Sequence, residues 1–155
     1  MPLETPGIAT RFLQPGHLAI SVEPMQVTTI LGSCVSVCMF DLTKRVGGIN
    51  HFMLPFGGGR TVSSARFGDV AMKELLDGLR AAGARLPFLQ ARVFGGSSMF
   101  QELKMTASLG QKNVELALDF LAKCGVDVIE IDTGGNRGRK IVYRTDEGTV
   151  CLKSI

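Results

Sequence analysis

Tryptophan is absent and tyrosine occurs once, against nineteen glycines in 155 residues. A chain so built is expected to turn often and to bring backbones close together, which excludes a long-helix or coiled-coil protein. No run of about 18 apolar residues occurs, and the start of the chain, with Pro2, Glu4 and Pro6, lacks a basic stretch followed by an apolar one. A soluble, cytoplasmic protein without membrane insertion is expected. Neither sign of charge dominates: 17 basic and 14 acidic residues are spread along the chain, so nucleic acid is not an expected partner. The four cysteines, Cys34, Cys38, Cys124 and Cys151, form no C-x-x-C pair. They also lack the regular spacing of a disulfide scaffold, so they read as reduced thiols, available for packing or for chemistry.

What is present suits one core. With 45% hydrophobic and 20% charged residues, the chain can bury a single substantial interior. Residues 1–16, interrupted by Pro2, Pro6 and Pro15, are expected to be an irregular N-terminal segment, and 17–155 a single domain. Short β-type runs at Leu18 to Val22 and Gln26 to Leu31 are split by Glu23-Pro24, a turn signal because proline fixes φ and supplies no donor. Met72, Leu75, Leu76 and Leu79 recur at helical spacing and predict a packing helix over 65–82, capped by Ser63 or Ser64 after the loop glycines 57–59. A second helix is predicted over 111–123, with Val114, Ala117, Leu118 and Leu121 inward. Strands are predicted at 90–94 and 126–133, and a closing hairpin at 141–144 and 149–153.

The candidate chemistry lies in the segment from Gly32 to Pro55. If Asp41 pairs with Val46 across the loop Leu42 to Arg45, a common hairpin length, then Phe40 faces Gly47, Cys38 faces Ile49, Ser36 faces His51 and Cys34 faces Met53. Cys34 and His51 become diagonal neighbours on one face, roughly 7–8 Å apart at the backbone. A slip of one residue would separate them. Amide hydrolysis needs a nucleophile, a base and donors for the oxyanion. Cys34 and His51 supply the first two, and Gly32-Ser33 leaves room for the Cys34 amide to meet a substrate carbonyl. Thr28, six residues before the cysteine, is a candidate to orient the imidazole. Other readings stand beside this one. Cys34 is equally a small buried hydrophobe, His51 a satisfied core histidine, and Cys34, Cys38 and His51 share a face that a zinc ion would suit, although no fourth ligand is in view. Arg137, Arg139 and Lys140 in a glycine-rich loop read as solvated charges able to steer an acidic partner.

The segments Leu31 to Cys38, Val46 to Pro55, Gly68 to Met72, Val93 to Gly96, Gln111 to Val114 and Gly134 to Lys140, in that order, resemble the chemoreceptor glutamine deamidases of bacterial chemotaxis, the CheD family. The resemblance implies an α+β fold shared with bacterial toxin deamidases, in which mixed sheets pack together with helices outside, so that 17–155 is a deamidase domain. It implies Cys34 as nucleophile, His51 as base and Thr28 as third member, with Thr29 the adjacent alternative, and Gly32 and Ser33 beside the substrate. It implies no metal or organic cofactor. The implied substrate is glutamine on the cytoplasmic helices of methyl-accepting chemoreceptors, and in some members a CheC-type phosphatase competes for the site. A non-catalytic adaptor for helical signalling proteins is the alternative.

Overall fold

The hairpin on which the chemistry depends forms in the predicted register. A computed structural model describes residues 7–57, 64–98 and 108–155. In it β4 (Val35–Asp41) pairs antiparallel with β5 (Gly47–Asn50), placing Phe40 opposite Gly47 and Cys38 opposite Ile49. Asp41 explains why the loop keeps its length. Its carboxylate accepts from the backbone N–H groups of Thr43 (2.7 Å), Lys44 (2.8 Å) and Arg85 (2.7 Å) and from the Thr43 hydroxyl (2.8 Å). Burial alone would raise its pKa, but those four donors outweigh it and hold the carboxyl at about 2. Arg45 closes the loop with φ of 56°, and Asp41 N–H bonds Val46 O at 3.0 Å.

The described residues form an α+β architecture with two mixed sheets. One has the order β2 (Leu18–Ser21), β5, β4, β6 (Leu89–Gly95), β7 (Asp127–Thr133). The other has β1 (Ala9–Phe12), β3 (Met25–Leu31), β8 (Arg139–Arg144), β9 (Val150–Ser154). The five-stranded sheet is the middle layer. On one side Val35, Val37, Met39 and Val93 pack under helices α1 (Gly68–Ala81) and α2 (Leu109–Cys124). On the other, Cys38, Ile49 and Phe94 meet Val27, Leu31, Ile141 and Tyr143 of the four-stranded sheet. Strand β4 is buried along its whole length, which is why both of its faces, Val35, Val37 and Met39 on one and Cys38 and Phe40 on the other, carry apolar residues.

The structure corrects several expectations. Residues 1–16 are not irregular throughout, because Ala9–Phe12 pair parallel with Met25–Thr28. All four residues of that strand are exposed, so no alternation marked it in sequence. Helix α1 starts at Gly68, with Phe67 at the cap and no side-chain capping bond. Its first N–H groups instead find the backbone just past His51, Gly68 N–H donating to Leu54 O (2.7 Å) and Asp69 N–H to Pro55 O (3.1 Å). Gly58, Gly59 and Ser63 lie outside the described residues. Helix α2 begins two residues earlier than expected, at Leu109, capped by the Ser108 hydroxyl on Gln111 N–H, and runs to Cys124 with Gly125 as its C-cap.

Candidate active site

Cys34 lies on the bend that carries the chain from β3 in one sheet to β4 in the other. The bend is held by its carbonyls. Gly32 O accepts from Ser97 N–H (2.9 Å), Ser33 O from the Asn113 carboxamide (3.0 Å) and Cys34 O from Gly96 N–H (2.8 Å). Gly95 makes this approach possible: its φ is +108°, and a Cβ there would lie 2.2 Å from Cys34 O. Arg139, expected to be a solvated cation, is largely buried and serves the same end. Its guanidinium bonds Asp132 (2.8 Å), Gly134 O (2.9 Å) and Gly95 O (3.4 Å).

His51 follows β5, and the hairpin register continues past it, because Val35 and Phe52 exchange backbone hydrogen bonds of 3.1 and 3.0 Å. Val35 and Phe52 face the helices, so Cys34 and His51, each one residue earlier, face the other sheet. Two contacts support this: Cys34 packs against the cluster between the sheets, and His51 Nδ1 lies 2.7 Å from the Thr29 hydroxyl of β3. The thiol and the imidazole therefore share one face of the middle sheet.

Thr29, not Thr28, meets the imidazole. Val27, Thr29 and Leu31 form the buried face of β3, while Thr28 and Ile30 alternate to the outer face. The Thr29 hydroxyl also lies 2.8 Å from Leu13 O. A carbonyl can only accept and a hydroxyl has one proton, so that proton goes to Leu13 and the hydroxyl accepts from Nδ1–H. The neutral ring then carries its lone pair on Nε2, the tautomer a base needs. Nε2 is buried without a hydrogen-bond partner, and burial lowers the ring's pKa to about 4, keeping it uncharged at neutral pH. Burial likewise raises the Cys34 thiol, partly offset by its own backbone N–H. Both groups are thus uncharged at neutral pH, a thiol and an imidazole rather than a preformed ion pair.

Leu13 was missed because it follows a proline-rich start. The expected inward residues of α2 hold, Ala117 and Leu121 being buried and Val114 and Leu118 packed against the core; Asn113 was missed because it is a polar residue buried beside that apolar stripe. Cys38 is buried in the core between the sheets, with its thiol pushed well up by burial. Among the described residues no three His, Cys, Asp or Glu side chains converge as metal ligands.

One expected result separates the two threonines. Thr29→Val keeps the shape and leaves Nδ1–H and Leu13 O without partners, at about 1–3 kcal/mol. Expressed on the rate, that is a loss of roughly tenfold to a hundredfold. Thr28→Val stays near the parent rate. Initial rates for the two variants decide it: a larger loss in Thr28→Val than in Thr29→Val would return the assignment to Thr28.

The family model described as CheD chemotactic sensory transduction matches residues 53–154. Similar proteins include a "Probable chemoreceptor glutamine deamidase CheD 1" of Anaeromyxobacter dehalogenans, 43% identical over 98% of this chain and 90% of that protein. A "Chemoreceptor glutamine deamidase CheD" of Thermotoga maritima is 37% identical over 90% of this chain and 88% of its own length. The first of these alignments spans the Cys34 and His51 segment, which the family match leaves out. A solved Neisseria meningitidis protein of the DUF152 family gives a TM-score of 0.47 at 11% identity over 84% of this chain and 64% of that one, too distant to bear on function.

Proposed function

Because the chain belongs to the CheD family, whose named members are chemoreceptor glutamine deamidases, we propose that it hydrolyses the side-chain amides of selected glutamines on the cytoplasmic helices of methyl-accepting chemoreceptors, with Cys34 as nucleophile and His51 as base. The observation that carries the reading is a single imidazole, oriented by Thr29, whose unpartnered Nε2 lies on the same sheet face as the Cys34 thiol.

In the first step Nε2 takes the thiol proton as sulfur attacks the carboxamide carbon, and the Cys34 amide receives the developing oxyanion. The proton passes to the leaving nitrogen, ammonia departs and a thioester remains. Water then gives a proton to Nε2 and attacks the thioester, releasing glutamate and restoring the thiol. Every step uses groups of this chain, the substrate and water. Gly32 and Ser33 are the backbone edge along which the glutamine side chain enters. The reaction belongs in the cytoplasm, where the receptor's helical bundle lies; no described helix is long and apolar enough to cross a membrane.

Incubation with a receptor cytoplasmic fragment tests the proposal. Each conversion exchanges NH₂ for OH, so intact-mass analysis should show a stepwise gain matched by ammonia release. A CheC-type phosphatase that occupies the same surface slows this conversion. Binding of the fragment with no mass change would favour the adaptor reading instead.

A further inference from the structure

Among the described residues, the buried side-chain polar atoms without a partner are Ser36 Oγ, His51 Nε2, Ser97 Oγ and Asn113 Oδ1. All four belong to residues around the bend that carries Cys34. Ser36 is on β4 two residues beyond it, Ser97 bonds Gly32 O, and Asn113 bonds Ser33 O. Native interiors rarely leave such atoms unpaired, and where they do the reason is often a functional constraint.

Asn113 is the most constrained of them. It is fully buried on α2, and its Nδ2 donates two 3.0 Å bonds, one to Ser33 O and one to Met53 O. Ser33 directly precedes the nucleophile, and Met53 follows the base by two positions. With both N–H groups fixed in this way, Oδ1 must point elsewhere, and it has no partner. An apolar residue would avoid that unpaired acceptor, so packing alone does not account for an asparagine here. The carboxamide joins the two strand ends beyond the Val35–Phe52 pair. The helix carrying it is seated on the same bend: a Cβ on Gly110 would lie 2.4 Å from Gly96 O and 2.6 Å from Ser97 O.

We propose that Asn113 is a positioning residue that sets the spacing between Cys34 and His51 by bridging the backbones on either side of the pair. The inference rests on the Cys34–His51 reading above and assigns Asn113 no contact with substrate. Removing the bridge lets the bend and the His51 strand end drift apart while α2 still packs.

Asn113→Leu, close in volume but without donors, is compared with Leu121→Ala, which destabilises the same helix in the core away from the bend. If Asn113→Leu does not fold, Asn113→Ala replaces it. Two quantities are read at a temperature where all variants are folded: kcat against KM, and the pH dependence of Cys34 alkylation by iodoacetamide, resolved by peptide mass spectrometry, each with and without His51→Ala. The Asn113 variant should lose about tenfold to a hundredfold in kcat, with KM changed less than about threefold. Its Cys34 alkylation should no longer respond to His51→Ala, whereas Leu121→Ala retains the parent kcat and response. An Asn113 variant that keeps the parent kcat and the His51-dependent alkylation overturns the inference and leaves the Cys34–His51 reading standing. Alkylation of Cys34 that ignores His51 in the parent protein overturns both.

Discussion

Cys34→Ala abolishes deamidation while the protein stays folded. Alanine keeps the Cβ, and Cys34 is only half-buried at the bend, so the expected change in stability is within about 1 kcal/mol. The rate falls by about 10⁴-fold or more, because removing the nucleophile closes the covalent route and leaves only binding and oxyanion stabilisation. Cys38→Ala is the matched comparison. That thiol is buried between the sheets and its protonated form is strongly favoured, so its loss costs stability, about 1–2 kcal/mol, with activity retained when measured well below the melting temperature. Thermal unfolding and ammonia release, measured on both variants, form a crossed pattern. Retained turnover in Cys34→Ala removes the enzymatic reading.

Legibility in the sequence followed the range of the interaction. Cys34 and His51 could be placed together because a hairpin is local: a loop count and a period of two fix which side chains share a face, and Asp41 holds that count. The orienting threonine required the relation between two sheets. Val27 and Leu31 mark the buried face of β3, but Ile30 is apolar and 47% exposed on the other side, so the strand's own alternation does not say which threonine looks inward. Strand β1 has no buried residue and exists through its pairing with β3, a long-range contact that local pattern cannot register. Asn113 was hidden for a third reason. It is polar on a buried stripe, and its partners are carbonyls more than fifty residues away in sequence, so nothing near it in the chain signals the need for a donor.

The acid limb of kcat/KM should fall near pH 4, well below the 6.5 of a free imidazole, and His51→Gln should lower kcat by roughly 10²–10⁴-fold. The first follows from a ring that is 2% exposed and whose pKa burial depresses to about 4, the second from its proposed role as the base. The depressed pKa also sets a stability dependence. Unfolding returns the ring to water, where it binds a proton below about pH 6.5, whereas in the folded state it resists protonation until about pH 4. Between those values the unfolded state holds more protons, so stability falls as pH drops from 6.5 and the loss levels off below about 4. The displacement corresponds to roughly 3 kcal/mol. His51→Gln removes this one group's contribution, so denaturant unfolding at pH 7 and pH 4.5 should show a smaller acid-induced loss in the variant than in the parent. The two measurements constrain each other: a rate limb near 6.5 together with an unchanged pH slope would mean that the imidazole is solvated in the working enzyme and that burial does not set its protonation. A limb near 4 with the predicted difference in slope ties the base that drives the chemistry to the same burial that holds the two sheets together.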